Sequence, residues 1–456
     1  MEFVRLTRDT EIGANSYALR LGDRLVVLDS GMHPKAQGAA ALPDFSRISG
    51  LPVACAVLSH AHQDHVGSLP VLTREHDRIP VFMTSPTARI AEIMLHNSVN
   101  VMTRQREERK LDNYPMFTHR GVDLCAQQWQ QCPLRRRFAL NGDRATDDEE
   151  TSIELYDAGH ILGSAGVMVR HGGKTIFYTG DVNFDDQTLA RCADFPEEGV
   201  DVLIMETTRG DSPKPAGWTR VSEEKRLLEA LREAFQAGGA VTLPVFALGK
   251  TQEILAMLWR FRVEGLLAHV PTYIGGLSTK ITTVYDHFAE SGRRALPELQ
   301  LLQEMAPYVL SGNEALSISP RARSIYALSS GMMTENTISN LFARRILPDA
   351  GQSLFFVGYS DPDSPAGRVR AASPGQDVIL DPSKPPVPLR CRTNAFNFSA
   401  HATRESLLEY ATRLRPKKIL LVHGDRPAVD WFQRELSVTL PGTAVLSPEP
   451  GVWMDL

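Results

Sequence analysis

The sequence lacks the cysteine pattern of a disulfide framework or of a thiolate metal site. It has five cysteines, an odd number, and no two of them form a C-x-x-C pair. Such a set is typical of a protein kept in a reducing compartment. An apolar run of about 18 residues, which a membrane-spanning helix needs, is also missing. The first residues, MEFVRLTRDTEIG, contain no apolar stretch of signal-peptide length, so we expect a cytoplasmic location and no membrane contact.

An excess of positive charge is missing as well. The formal net charge is −5, whereas a protein that holds nucleic acid by long-range attraction alone is usually basic. Any contact with nucleic acid is therefore expected to be local, through basic patches or a metal site. The 456 residues, 43% apolar and 23% charged, are enough for about two to three globular domains.

Two patterns of secondary structure follow each other along the chain. Up to about residue 205, the sequence predicts short strands with turns, including a hairpin around Gly172 and Gly173. Beyond that point, strands such as residues 241–245 alternate with helices, one of which we expect to be capped by Ser222. This alternation predicts a parallel, Rossmann-like sheet.

The strongest chemical signal is the segment SHAHQDHVG, which contains His60, His62, Asp64 and His65. It follows an apolar run at residues 53–59 that predicts a buried strand, so the cluster is expected on a loop that enters a helix. Imidazole and carboxylate groups without thiolate suit a catalytic zinc site with open positions. The alternative is a polar loop held by hydrogen bonds, which is disfavoured because several buried histidines without a metal would be costly.

His60 and His62, at alternate positions, can converge on one metal, and Asp64 and His65 can reach a second one nearby. One loop cannot complete two metal shells, so further ligands must come from elsewhere in the chain. The candidates are His160 in DAGHILGSAG, Asp181 in FYTGD and His423 in LLVHGD, the last two at predicted strand ends. Taken singly, each candidate is ambiguous, since a lone histidine is more often structural. Their assignment depends on the pattern of the whole chain.

Taken together, these motifs resemble the metallo-β-lactamase superfamily, to which Asp29 in VVLDSG adds a further match. The middle and end of the chain are similar to the β-CASP nucleases, which include RNase J and the cleavage and polyadenylation endonuclease. The matching segments are METT around Glu206, LPVFALGKTQEIL from Leu243, SSGMM from Ser329, NFSAHA around His401 and VHGD at His423. The order and spacing of the motifs agree over nearly the whole chain.

The resemblance implies an α/β fold in which a metallo-β-lactamase αβ/βα sandwich carries an inserted Rossmann-like β-CASP domain. The sandwich would comprise residues 1–206 and 385–456. The β-CASP domain would comprise residues 207–384, where the strand and helix pattern changes.

The resemblance also implies two zinc ions per chain. The implied ligands are His60, His62 and His160 for one ion, Asp64, His65 and His423 for the other, and Asp181 as a bridge. Asp29 would steady the ligand loop from behind. The implied catalytic residues are Asp64, His401 and Glu206, with His401 giving a proton to the leaving oxygen while Glu206 orients it.

Substrate-binding residues are expected at Arg209, Lys250 and Ser330. Arg209 stands where the family usually has tyrosine, and Lys250 stands where it usually has arginine. Arg209 would add a fork-shaped binder for a phosphate group. These departures bear on the identity of the substrate more than on catalysis.

The implied activity is zinc-dependent hydrolysis of RNA phosphodiester bonds by a hydroxide shared between two metal ions. Cutting would be internal, with 5′ exonuclease action as a further mode, and the partner would be single-stranded RNA. RNA is expected as the substrate because His423 resembles the RNA-cutting branch of the family, whereas the DNA-processing branch tends to have valine at this position. A homodimer or larger complex is also expected. The alternatives are a hydrolase of small thioesters or lactams and a catalytically altered or partner-dependent β-CASP protein.

Overall fold

The computed structural model describes residues 1–456, apart from the side chain of Arg109. In chain order the strands are β1 (Glu2–Arg5), β2 (Tyr17–Leu21), β3 (Arg24–Leu28), β4 (Val53–Val57), β5 (Val81–Met83), β6 (Trp129–Gln131), β7 (Thr151–Asp157), β8 (Ala165–His171), β9 (Lys174–Tyr178), β10 (Val202–Glu206), β11 (Val241–Pro244), β12 (Thr272–Gly275), β13 (Tyr308–Leu310), β14 (Ile325–Leu328), β15 (Ser353–Phe356), β16 (Asp377–Val378), β17 (Val387–Pro388), β18 (Arg392–Ala395), β19 (Lys418–Val422), β20 (Ala444–Leu446) and β21 (Met454–Asp455).

The helices are α1 (Gln63–Val66), α2 (Leu69–Glu75), α3 (Ser85–Arg109), α4 (His119–Ala126), α5 (Arg220–Gln236), α6 (Lys250–Val263), α7 (Gly276–His287), α8 (Leu301–Met305), α9 (Gly312–Ser317), α10 (Ile338–Ile346), α11 (Pro365–Ala371), α12 (Arg404–Leu414) and α13 (Arg426–Thr439). Among the described residues, we find no helix that combines the length and the apolar character needed to cross a membrane.

The chain forms two compact units. Unit 1 consists of residues 1–186, 192–214 and 400–456, and unit 2 consists of residues 187–191 and 215–399. The domain boundaries expected from the resemblance, after residues 206 and 384, remain predictions.

Unit 1 contains two sheets. The first has the strand order β21-β1-β2-β3-β4-β5-β6, with parallel pairing from β3 to β6. The second has the order β20-β19-β10-β9-β8-β7, with parallel pairing from β9 to β20. Strand β7 runs in the same direction as β9, because both are antiparallel to β8 between them. The carboxyl ends of β7, β9, β10 and β19 therefore lie along one edge of the second sheet.

Apolar side chains fill the space between the two sheets of unit 1. Val26 and Val57 of the first sheet share a buried cluster with Val167 and Ile204 of the second. The other face of the second sheet packs on α12 and α13 in a separate cluster. Helix α4 contacts both α2 and α3, and α3 contacts β6 of the first sheet. This layering confirms the predicted α/β sandwich.

Unit 2 is built on a parallel sheet with the order β13-β12-β14-β11-β15-β18. In its core, Tyr326 and Phe356 of the sheet pack with Phe342 and Ile346 of α10. Parallel neighbours require crossover connections, and the helices between the strands provide them. The predicted Rossmann-like alternation is confirmed.

Helix α5 begins earlier than the sequence predicted. Its N-cap is Thr219, whose side-chain oxygen accepts a hydrogen bond from the Ser222 N–H at 3.0 Å. Ser222 Oγ in turn accepts from the Thr219 N–H at 3.0 Å. Ser222 is thus the third helical residue, and the prediction that it caps the helix was wrong. Both residues are good cap formers, and the reciprocal pair of hydrogen bonds decides between them.

Candidate metal centre

The predicted metal ligands of unit 1 all follow the carboxyl ends of strands. The ligand loop, residues 60–65, follows β4, and His160 and Asp181 lie just beyond β7 and β9. Glu206 is the last residue of β10, and His423 comes directly after β19. The ends of β7, β9, β10 and β19 share one edge of the second sheet, and the ligand loop after β4 of the first sheet meets them there, with His62 against His160.

The first cluster of donor atoms comprises His60, His62, His160 and Asp181. His62 Nδ1 lies 3.1 Å from both His60 Nε2 and His160 Nε2. Asp181 Oδ2 lies 3.5 Å from His60 Nε2 and 3.7 Å from His160 Nε2. Donor atoms in tetrahedral zinc sites, with bonds of about 2.0–2.1 Å to nitrogen, are roughly 3.3 Å apart, so these spacings suit one ion.

The second cluster comprises Asp64, His65 and His423. Asp64 Oδ2 lies 3.9 Å from His65 Nε2 and 3.5 Å from His423 Nε2. The other oxygen of Asp181, Oδ1, lies 3.3 Å from His65 Nε2 and 2.7 Å from His423 Nδ1. The two oxygens of Asp181 thus face one cluster each.

The hydrogen bonds around the first cluster show that its nitrogens fit a cation. Ser59 Oγ donates to Asp29, so it accepts from His60 Nδ1 at 3.0 Å. The Ala400 carbonyl accepts from His160 Nδ1 at 2.8 Å. Both Nε2 atoms are therefore unprotonated, and His62 Nδ1 can donate to only one of them. A metal ion shared by His60, His62 and His160 would bind all three nitrogens at once.

The second cluster also carries a buried polar atom that calls for a partner. His423 Nε2 is buried and, within the part of the chain that the structure describes, has no hydrogen-bonding partner. Such atoms are rare in folded proteins, and one that points at a carboxylate group fits a metal ligand. The structure thus supports a metal-binding role for the histidine and aspartate cluster.

The electrostatics of the two clusters differ. Burial lowers the pKa of His60, of His62 and of His160, which keeps these rings neutral with lone pairs available. Burial also lowers the pKa of His423, but the Asp181 carboxylate outweighs it and raises that pKa to about 10. A bound cation would take the place of this proton, because a metal ligand must be deprotonated.

Asp29 holds the ligand loop from below. Its carboxylate, fully buried, accepts hydrogen bonds from the Ser59 N–H, Ser59 Oγ and Tyr178 OH, each at 2.7 Å, and from His65 Nδ1 at 2.8 Å. The bond to His65 fixes the proton on Nδ1 and leaves Nε2 facing the cluster. Asp29 also has a left-handed backbone conformation, with φ of 58°.

We expect the substitution Asp29→Ala to lower the free energy of unfolding of the metal-free protein by about 3–5 kcal/mol. The loss leaves buried donors on Ser59 and Tyr178 without an acceptor and places alanine in a left-handed conformation. Urea unfolding monitored by circular dichroism measures the change. Tyr178→Phe is the control, since it removes a single hydrogen bond and should cost about 1 kcal/mol. A loss below 1 kcal/mol for Asp29→Ala would contradict the expectation.

His401 and Glu206 form a pair beside the metal ligands. His401 Nδ1 lies 3.1 Å from Glu206 Oε2, and Glu206 Oε1 accepts the Val182 N–H at 2.7 Å. His401 Nε2 lies 3.9 Å from Asp181 Oδ2. Burial lowers the pKa of His401, but the Glu206 and Asp181 carboxylates outweigh it and raise that pKa above its usual value. The arrangement orients Nε2 of His401 toward the cluster.

The three predicted substrate-binding residues lie in different settings. Arg209 is half-buried in unit 1, where burial lowers its pKa and the carboxylates of Glu405 and Glu206 oppose this. In unit 2, Ser330 Oγ lies in a turn, 2.8 Å from Thr334 Oγ1. Lys250 is buried in the same unit and donates from Nζ to the Phe398 carbonyl. Their role in binding a substrate remains a prediction.

Burial of Lys250 makes the stability of the protein depend on pH. Burial lowers its pKa to about 8 from an ordinary 10.5, so between these values the unfolded chain holds more protons than the folded one. Stability therefore rises with pH in this window. We expect the unfolding free energy of the wild type to rise by roughly 3 kcal/mol relative to Lys250→Met between pH 8 and 10.5. Urea titrations of both proteins at several pH values measure this, and parallel curves would contradict it.

Sequence reasoning missed several residues that hold the ligands. Tyr178 and Ser59 bind Asp29, and Thr208 Oγ1 lies 3.3 Å from His423 Nδ1. Ser59 and Tyr178 each lie within three residues of a predicted ligand at a strand end, which is the signal that could have drawn attention to them.

Three family models match the chain in succession. The metallo-β-lactamase superfamily model matches residues 9–88, and the Beta-Casp domain model matches residues 251–369. A model described as the Zn-dependent metallo-hydrolase RNA specificity domain matches residues 386–448, which include His401 and His423. The chain belongs to the metallo-β-lactamase superfamily. Within it, the middle match assigns the chain to the β-CASP group, and both assignments confirm the family predicted from the motifs.

Relatives of this β-CASP chain align over most of its length. It is 28% identical over 438 residues to Endoribonuclease ysh1 of Schizosaccharomyces pombe, covering 93% of this chain and 54% of that protein. The Integrator complex subunit 11 homolog of Dictyostelium discoideum is 25% identical, with 96% and 59% covered. The RNase J-like protein of Methanocaldococcus jannaschii is 27% identical, with 91% and 90% covered. The chain thus spans a little over half the length of the first two relatives.

The fold is also similar to a solved structure. A crystal structure of a protein of unknown function from Enterococcus faecalis V583 matches with a TM-score of 0.52 and covers 100% of both chains. The sequence identity is 14%, so this likeness concerns the fold alone.

Proposed function

We propose that the chain is a metal-dependent endoribonuclease that hydrolyses phosphodiester bonds in RNA. The observation that carries the proposal is the pair of donor clusters that share Asp181, with the His401–Glu206 pair next to them. This arrangement offers places for two cations and a proton donor within one site. The names of the relatives, Endoribonuclease ysh1 and RNase J-like protein, support RNA cleavage as the activity.

The proposed cofactors are two zinc ions per chain. Nitrogen and carboxylate donors without thiolate suit catalytic zinc. His60, His62 and His160 would hold the first ion, Asp64, His65 and His423 would hold the second, and Asp181 would contribute one oxygen to each. Divalent ions held in this way would lower the pKa of a water molecule and neutralise negative charge on the phosphoryl group.

The side chains of the protein supply the remaining steps. The proposed metal ligands fix the position at which the phosphoryl group is held. Asp29 keeps His65 in one tautomer by accepting a hydrogen bond from its Nδ1. His401 donates a proton to the leaving oxygen from Nε2, because its Nδ1 is engaged by Glu206. Glu206 is a positioning residue. Its carboxylate accepts a hydrogen bond from the N–H of Val182, the residue that follows Asp181.

RNA is the favoured substrate over DNA for two reasons. The match at residues 386–448 is to a domain described by its RNA specificity, and it contains His423. The relatives are named for RNA cleavage or for the Integrator complex. We further propose a single strand as the form that is bound and a larger complex as the setting. A cytoplasmic location is part of this proposal.

Cleavage of matched single-stranded RNA and DNA by the purified protein, with metal content determined in the same sample, tests the function. We expect RNA to be cut internally and about two zinc ions to be found per chain. Absence of cleavage of either polymer at full metal occupancy would overturn the proposal and favour a partner-dependent protein. Turnover of a small thioester alone would favour the other alternative.

Arg209 is the proposed phosphate-binding side chain of unit 1. Replacement by glutamine should raise KM for RNA about tenfold, since a charge-assisted hydrogen bond contributes about 1.5–3 kcal/mol. The value of kcat and the metal content should stay the same. Steady-state kinetics on a fluorescent RNA gives both constants, and Arg434→Gln on the exposed face of α13 is the matched control. An unchanged KM would remove Arg209 from the binding site.

A further inference from the structure

A basic groove crosses unit 1 at the amino ends of its parallel strands. The groove has a volume of about 1380 Å³ and is lined by the first residues of β3 and β4, the segment before β5, and residues of α2 and α4. We call it the arginine groove, after Arg24, Arg74, Arg78 and Arg120 in its lining.

The arginine groove is separate from the metal centre. The metal ligands follow the carboxyl end of β4, whereas Val53 and Ala54 in the groove begin the same strand. The five residues of β4 span roughly 17 Å. None of the predicted metal ligands or catalytic residues belongs to the lining.

The charge of the groove is opposite to that of the chain. Its lining contains four arginines against a single acidic side chain, Asp77, while the formal net charge of the chain is −5. All four arginines are exposed. Asp77 lies 3.5 Å from Arg78, and one nitrogen of Arg74 donates to the Met116 carbonyl. The guanidinium groups keep further donors, so the groove carries a local excess of positive charge.

The lining adds exposed amide groups and one exposed apolar side chain to this charge. Gln127 and Gln130 provide the amides, and Leu124, which is 50% exposed, provides the apolar surface. The volume exceeds the roughly 300–1,000 Å³ of a pocket for one small molecule, so the groove suits an extended ligand. Guanidinium forks match phosphate oxygens, and side-chain amides form hydrogen bonds with the edges of unstacked bases.

We propose that the arginine groove binds a single-stranded segment of RNA outside the metal centre. The inference rests on the proposed function, since it gives a second contact to the same substrate class. An acidic peptide could use the same charges, but the exposed amides of Gln127 and Gln130 favour a ligand that carries bases between its phosphates. A strand that reaches the groove would be held by at least two separate parts of unit 1.

The test uses the variant in which all four groove arginines are glutamine. Its matched control replaces four exposed arginines outside the groove, which are Arg104, Arg106, Arg426 and Arg434. Both proteins lose the same charge, so a difference between them reports on position. A second variant, Arg24→Gln with Arg120→Gln, keeps the hydrogen bond from Arg74 to the Met116 carbonyl and is therefore less exposed to a folding defect. Circular dichroism of each variant shows whether it is folded.

Binding is measured on the metal-loaded proteins, each carrying His401→Ala so that the RNA stays intact, as checked on a gel. The probe is a fluorescent oligouridylate of about 30 nucleotides, longer than the ~4–16 nucleotides that one single-strand site covers. Between roughly 50 and 200 mM salt, the groove variant should bind about 10- to 100-fold more weakly. The slope of log affinity against log salt should fall by about 2–3, since each lost phosphate contact removes about 0.7.

Equal affinity and equal salt slope in the groove variant and its control would overturn the proposal that the groove binds RNA. Stronger competition by polyglutamate than by unlabelled RNA would do the same and would favour an acidic protein. The two proposals fail separately. If the protein with His401 intact cuts RNA but the groove variant binds RNA normally, only the proposal about the groove fails. If no RNA is cut and the groove variant still loses binding, only the nuclease proposal is lost.

Discussion

Replacing Asp181 with asparagine should abolish RNA cleavage, with a loss of at least about 10³-fold, or about 4 kcal/mol. Asp181 is the one side chain whose two oxygens face both donor clusters, within 3.3–3.7 Å of the histidines His60, His160 and His65. An amide group has a neutral oxygen and a nitrogen that cannot act as a ligand. One cluster would therefore lose a donor, and the repulsion between two close cations would be less screened.

Metal analysis and cleavage of the same samples give the result for Asp181→Asn. Fewer than two ions per chain should remain, together with background cleavage. Asp147→Asn makes the same chemical change at an exposed loop position and should leave both readouts at the wild-type level. Retention of two ions with normal cleavage would contradict the bridging role of Asp181.

Replacing His401 with alanine should lower kcat for RNA by about 10²–10⁴-fold, the range typical of a lost general acid. Metal content should not change, because the ligand set does not include His401. The loss should be smaller for an RNA whose leaving oxygen is a better leaving group, since such an oxygen needs no proton. This dependence on the leaving group separates proton donation from a structural role.

Glu206→Gln tests the orientation of the same ring. The amide can still face His401 Nδ1 at the observed 3.1 Å, but it no longer stabilises a positive charge on the ring. We expect an intermediate loss of kcat with an unchanged metal content. His269→Ala, at an exposed position of unit 2, is the control for loss of a histidine. A drop in bound metal for His401→Ala would instead make His401 a ligand.

The chemistry of the metal centre could be predicted where its residues are contiguous. Four candidate ligands lie within six positions of the ligand loop, and their types alone indicate a metal. The remaining candidates became convincing only through the order of motifs along the chain. Their meeting in space depends on the parallel pairing of β9, β10 and β19, which no local pattern encodes.

Contacts over long sequence separations could not be predicted. The hydrogen bond from Tyr178 OH to Asp29 joins residues 149 positions apart. In unit 2, the buried Glu253 carboxylate accepts from the Leu189 N–H at 2.9 Å and pairs with Arg220, although all three looked unremarkable in the sequence. Such partners are set by packing, and charged residues at helical spacing would equally well have been solvent-exposed.

Unit 1 is assembled from three separate stretches, and the last of them begins at residue 400. This stretch contributes β19 and the edge strand β20 to the second sheet, together with His401 and His423. During translation, a growing chain that has not reached residue 423 lacks the donor atoms of that histidine, however well its earlier parts have folded. The proposed metal centre therefore has all its donor atoms only after residue 423 has left the ribosome.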